Sequence, residues 1–286
     1  MKVVKVYDGT DPGGTPGRVF TASIGQEEIT QDGAFLSWLM VGLKHAVATA
    51  AVVIETSVGL LSEYMLRIGS ETRILMNMRQ LCALMAFYFK ELPFIWENTD
   101  ATGNNFVGGV KVPVFAKMDA TKKVSHSAAW VTQTNAATTT LAIDAYFDET
   151  DQGKKPVHAV AVSLTSAAAT GYQLIDVILP QIGKLVGVII QHATPFADGT
   201  IAVSIERLRL LINGQTHSQF NVLASSLGVP GVYNGTLEPI ADLLNVFSFL
   251  DLRPSGLDLK TQEVKISIDV QDVSDAIVII PVIEIG

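Results

Sequence analysis

Apolar and polar positions alternate along much of this chain. In "EVKISIDV" (263–270), Val264, Ile266, Ile268 and Val270 are separated by Lys265, Ser267 and Asp269, the period of two that gives a strand one apolar and one polar face. Short runs of strand-forming residues bounded by turn residues recur at 19–30, 108–118, 139–149, 172–180, 184–193, 200–212 and 275–285. Helical patterns do not follow each run, which favours an antiparallel sandwich or barrel over a parallel sheet wound with helices. The polar stretch "DETDQGKKPVH" (148–158), with Gly153 and Pro156, places a domain boundary near mid-chain, between a first domain at 19–151 and a second at 157–286. Residues 1–18, with "DGTDPGGTPG" at 8–17, predict an extended N-terminal arm too rich in Gly and Pro for regular structure.

The two halves carry a common segment. "LRIGSETRILMN" (66–77) and "LLINGQTHSQFN" (210–221) align at an offset of 144, with identity at Leu66/Leu210, Ile68/Ile212, Thr72/Thr216 and Asn77/Asn221. Asn213-Gly214 is the strongest short hairpin signal, because both central residues of a type I′ turn need positive φ, and Gly69-Ser70 suits a type II′ turn in the same slot. Asn77 and Asn221 then stand directly before apolar, helix-compatible runs, 78–89 and 222–228, where an Asn side chain can accept from a free backbone N–H as an N-cap. Strand, tight turn, strand and capped helix are thus expected twice. Each half also closes on an apolar strand, Thr139–Phe147 and Ala276–Ile285.

Composition narrows the surroundings. Of the 286 residues, 48% are hydrophobic and only 17% charged, and the mean hydropathy is +0.35. So few charges leave part of the surface to be covered by another subunit. The most apolar stretch, 34–61, is interrupted by Lys44, His45 and Glu55, leaving uncharged runs of about ten residues where a spanning helix needs about twenty. The chain is expected not to span a membrane and, lacking an apolar leader core, not to be exported through a cleaved signal. A net charge of −8 without a basic cluster argues against direct contact with a genome or RNA. The single cysteine, Cys82, precludes an intrachain disulfide and reads as a small buried hydrophobe.

No catalytic constellation emerges. His45, His126, His158, His192 and His217 contain no His-x-His pair, and no nucleophile elbow, phosphate loop or dinucleotide fingerprint is present, so the chain is expected not to be an enzyme. One loop, "ENTDATGNNF" (97–106), offers Glu97, Asp100 and Asn104 as oxygen ligands for calcium, and reads equally as a polar turn. His217 is expected to face solvent. Trp38, Trp96 and Trp130 are expected to anchor core or interface, with sugar stacking as the other use of such rings.

The paired hairpins, the helix after each and the closing strand of each half resemble the double jelly-roll major capsid proteins of membrane-containing icosahedral viruses, most of all their small corticovirus-type bacteriophage members. That resemblance implies an all-β chain of two tandem eight-stranded jelly-roll sandwiches with short flanking helices. It further implies a homotrimer whose six similar domains form a pseudo-hexameric tile, located in the virion capsid and assembled in the host cytoplasm. Neighbouring capsomers, a vertex (penton) protein and minor membrane proteins would be its partners, and the arm, with Lys2 and Lys5, would reach towards the membrane or a neighbour. A two-domain carbohydrate- or receptor-binding β-sandwich is the alternative, with Trp96 and Trp130 near its binding loops.

Overall fold

The computed structural model describes residues 2–11, 27–29, 35–47, 58–98, 104–118, 124–130, 136–165, 173–191, 205–221, 247–270 and 276–286. The chain divides into two compact units, Met1–Val157 and His158–Gly286. In the first, β1 (Lys2–Asp11), β2 (Glu27–Ile29), β3 (Phe35–Val47), β4 (Leu61–Ile68) and β5 (Glu71–Met76) precede helix α1 (Met78–Phe89). After it come β6 (Phe94–Asn98), β7 (Asn104–Lys117), β8 (Val124–Trp130) and β9 (Ala136–Asp148). The second unit opens on β10 (Val157–Val160), whose first residue ends the first unit. It continues through β11 (Val162–Thr165), β12 (Gln173–Ile178), β13 (Lys184–Gln191), β14 (Ile205–Ile212) and β15 (Gln215–Asn221). The last strands are β16 (Phe247–Asp251), β17 (Leu257–Asp258), β18 (Val264–Val270) and β19 (Ala276–Glu284).

Strand order defines the architecture. In the first unit one sheet runs β1-β9-β3-β7-β6, and β5-β4-β8-β2 lie side by side in another. In the second, β11-β19-β13-β16 and β12-β18-β14-β15 are the corresponding sets, with β17 beside β13. With β6 and β17 set aside, and β10–β11 taken as one interrupted strand, both units follow one scheme. First–eighth–third–sixth strands form one sheet and second–seventh–fourth–fifth the other. That is the jelly roll, two Greek keys wound into a sandwich, and the chain contains it twice.

The two copies share their irregularities as well. In the hairpin β4–β5 the pairing steps from Leu66↔Ile74 to Arg67↔Thr72, leaving Arg73 extra. In β14–β15 it steps from Leu210↔Ser218 to Leu211↔Thr216, leaving His217 extra at the matching position. Ser62 in the β4–β8 pair and Glu206 in the β14–β18 pair are likewise left out. So are Ser37 of β3 against β9 and Val186 of β13 against β19. An extra residue turns the following side chains to the other face, so a bulge must be kept wherever the apolar set beyond it is to stay inside.

Period-two patterning accounts for the cores. Leu141, Ile143, Ala145 and Phe147 of β9 are buried while the intervening residues are only half-buried. In the second unit Ile266 and Ile268 pack with Leu208, Leu210, Val188, Ile277 and Ile279. Helix α1 is buried on nearly all sides, from Met78 through Phe87, as expected of a helix without a polar face. The most apolar stretch of the sequence holds β3, whose residues pair with β7 on one side and β9 on the other. No helix among the described residues is long and apolar enough to cross a membrane.

The expected N-terminal arm needs correction over residues 2–11. They form β1, paired with β9 from Lys2↔Phe147 to Asp11↔Thr139, and are the first strand of the first jelly roll. The Gly/Pro-rich composition begins only at Gly9, and the strand formers Val3, Val4, Val6 and Tyr7 precede it. Beside β9 their backbone groups gain partners that no local pattern reveals. Residues 12–18 lie outside the described residues.

Candidate functional site

The repeated hairpins set the frame. Gly69 turns with φ of 62°, and Asn213 and Gly214 with φ of 50° and 79°, the positive values that two-residue hairpin turns require. Asn77 caps α1: its side chain accepts from the backbone N–H of Gln80 at 2.9 Å, and the Gln80 side chain accepts from the backbone N–H of Asn77 at 3.0 Å. Asn221 is the last residue of β15, and the helix expected at 222–228 lies outside the described residues. Glu97 and Asn104 belong to β6 and β7, which pair as a hairpin. Their side chains, and Asp100 altogether, lie outside the described residues. Among the described residues no three His, Cys, Asp or Glu side chains converge to hold a metal.

A cavity of about 380 Å³ opens in the first unit, where the start of β3 and the end of β9 meet β7 and the C-terminus of α1. Bulges build it. Ser37 is extra relative to β9, and opposite it on β7 the pairing passes from Ala116 to Pro113, so that Val114 and Phe115 share the one position. Proline, which donates no ladder hydrogen bond, is tolerated at such a place. Phe115 adopts the left-handed region, with φ of 48°, which is strained for a bulky side chain and held by the strands around it.

Aromatic rings and lysines share this cavity. Trp38 stacks on Tyr146 with centroids 3.5 Å apart, and Phe115 stacks on Tyr88 at 5.6 Å. The Lys111 ammonium lies 5.3 Å from the Trp38 ring centre and 5.8 Å from that of Phe89, and is ion-paired with Glu91. The Lys154 ammonium lies 4.9 Å from the Phe115 ring centre and 6.0 Å from that of Phe89, with no carboxylate partner among the described residues. Ser37 Oγ donates to Asp148 Oδ2 at 2.5 Å, and Gln152 stands at the rim. Two lysines face two carboxylates, so the formal charges of the lining cancel.

Of these residues the sequence pointed only to Trp38. Pro113 inside a strand pattern was the one local sign of a bulge. The side chains of Trp96 and Trp130 lie outside the described residues, and His217, the bulge residue of β15, is exposed.

Tyr64, Cys82 and His126 are titratable groups buried without a site around them. Burial pushes the Tyr64 hydroxyl well above the usual tyrosine range. Burial also pushes the Cys82 thiol up to about 12, which the nearby charge of Arg79 offsets only in part. The thiolate is the reactive form. Native protein at pH 8 is therefore expected to resist a thiol reagent such as dithionitrobenzoate, with labelling that follows the unfolding rate across a urea series. Rapid stoichiometric labelling without denaturant would contradict this burial. The third group, His126 of β8, is 1% exposed, has no hydrogen-bond partner for either ring nitrogen among the described residues, and is pushed down to about 4 by burial.

Two jelly rolls of one strand order in a single chain make this a double jelly-roll protein. Solved structures of that fold include close parallels. The major capsid protein of STIV matches with a TM-score of 0.70 at 11% identity, covering 100% of this chain and 98% of that one. A chain from the atomic structure of Sulfolobus turreted icosahedral virus matches at 0.64 and 14% identity, covering 100% and 92%. Major capsid protein P2 of bacteriophage PM2 matches at 0.57 and 10% identity, covering 98% of each chain. These structural neighbours are double jelly-roll major capsid proteins of membrane-containing icosahedral viruses. Neither a family model nor a curated protein matches the sequence, so the likeness is one of fold.

Proposed function

We infer that this chain is the major capsid protein of an icosahedral virus, and that three copies associate into a pseudo-hexameric capsomer. The observation that carries this reading is the duplication of one jelly roll over the whole chain, matched end to end by the STIV major capsid protein. Two similar units in each of three chains supply six similar sides, which turns a closed threefold assembly into a hexagonal tile. A charged fraction of 17% fits a surface largely committed to obligate contacts between copies. The net charge of −8 fits a shell that leaves the genome to other components. A vertex protein and minor membrane proteins are the further partners expected of such a shell, in a virion assembled in the host cytoplasm, and the role requires no enzymatic step.

The test is the native mass of the purified protein by light scattering or native mass spectrometry. A species of three times the 30.7 kDa chain mass that yields no monomer on dilution is expected, and concentrated protein should form hexagonal arrays visible by electron microscopy. A stable monomer that never forms arrays would remove this reading.

A further inference from the structure

We propose that the cavity beside Trp38 is a binding site for a neutral saccharide, independent of whether the chain forms shells. Its walls disfavour two charged ligand classes. Inorganic phosphate or a polyanion needs an excess of positive charge, yet Lys111 is already paired with Glu91 and the lining is formally neutral. A quaternary ammonium needs open aromatic faces, yet Trp38, Phe89 and Phe115 already have the chain's own ammonium groups over them.

What remains unsatisfied are single groups of opposite kind. Lys154 is a donor without a carboxylate partner among the described residues, Asp148 keeps one carboxylate oxygen beyond the one Ser37 engages, and Gln152 can do both. A sugar meets all three, because each hydroxyl both donates and accepts. About 380 Å³ lies within the range of small-ligand sites and admits a ring or two.

Two features argue that the cavity is more than a packing defect. Phe115 is held in a left-handed conformation at the bulge that shapes the wall, and such strain concentrates at functional sites. Among the described residues the Trp38 wall is also not repeated. After the matching bulge at Val186, the second unit has Gly187 where the first has Trp38 after Ser37. A device needed only to stabilise the jelly roll would be expected in both copies, and glycine at 187 leaves no ring in the second.

Saturation-transfer NMR on the full-length protein in its native assembly tests the proposal. The neutral probes are the methyl glycosides of glucose, galactose, mannose and N-acetylglucosamine; methyl glucuronide and inorganic phosphate are the charged ones. At least one neutral glycoside is expected to bind saturably, with Kd in the millimolar range or tighter. Lys154→Met should weaken that binding by about tenfold, the loss of one hydrogen bond to a charged donor, and Lys155→Met should leave it unchanged. Trp38→Phe should weaken it too; since that ring is part of the packing, the exposed Lys154 variant is the deciding one. No saturable binding by any neutral glycoside would overturn the proposal. So would binding indifferent to Lys154→Met, or binding confined to the charged probes.

Discussion

Gly183→Ala is expected to cost more than about 4 kcal/mol and to abolish the cooperative unfolding of the second unit near room temperature. Gly183 precedes β13 with φ of 60°, and a Cβ there would stand 2.1 Å from the carbonyl oxygen of Glu284 and 2.9 Å from its carbon. Neither partner can retreat. Glu284 is paired with Lys184 in the β13–β19 ladder, and the Gly183 carbonyl accepts from the backbone N–H of Leu259 at 3.0 Å. The control is Gly69→Ala, whose φ of 62° is nearly the same but whose added Cβ meets nothing within 4 Å. That substitution carries only the left-handed backbone penalty, about 1–2 kcal/mol. Urea denaturation of both variants, followed by near-ultraviolet circular dichroism, separates the two contributions. Equal losses within about 1 kcal/mol would show that crowding at Glu284 is not what demands glycine.

Acidification is expected to remove about 3 kcal/mol of stability from the first unit through His126 alone. The imidazole is held neutral in the interior, pushed down to about 4, whereas in the unfolded chain it titrates at an ordinary 6.5. The unfolded state therefore binds the proton more tightly. The full contribution is present above pH 6.5 and is lost as the pH falls from there towards 4. In register His126 stands between Leu66 of β4 and Glu27 of β2, and the Tyr7 ring meets it edge-on at 6.4 Å. Its ring nitrogens have no hydrogen bond to offset a buried charge among the described residues. In His126→Leu the slope of stability between pH 6.5 and 4 should flatten relative to the parent protein. An unchanged slope would assign acid sensitivity to other groups.

How much of this was legible beforehand differs by feature. The strands at 139–149, 184–193 and 263–270 were visible because each buries one face, and burial writes a period of two into the residues. The corticovirus-type resemblance pointed to one narrow group, and the structural likeness extends both to the PM2 protein and, with a higher TM-score, to that of STIV. By sequence alone β1 reads as an arm because the partners that make it a strand lie in β9, at the far end of the same unit. The cavity leaves no local signature because Trp38, Phe89, Lys111, Phe115 and Lys154 come from separate segments, and nothing local links them.

The sequence by itself determined the turns, the cap on α1, the alternation of the strands and the duplication, all of which rest on short-range chemistry. Positive φ calls for Gly or Asn, a free helix N–H calls for a side-chain acceptor, and a half-buried strand calls for alternation. Only the tertiary structure decided which strands pair, where the bulges fall, that His126 is sealed from water and that two lysines settle over three aromatic rings. Those outcomes depend on groups distant in the chain meeting at atomic range, where burial and hydrogen bonding are settled by neighbours that the local pattern does not contain.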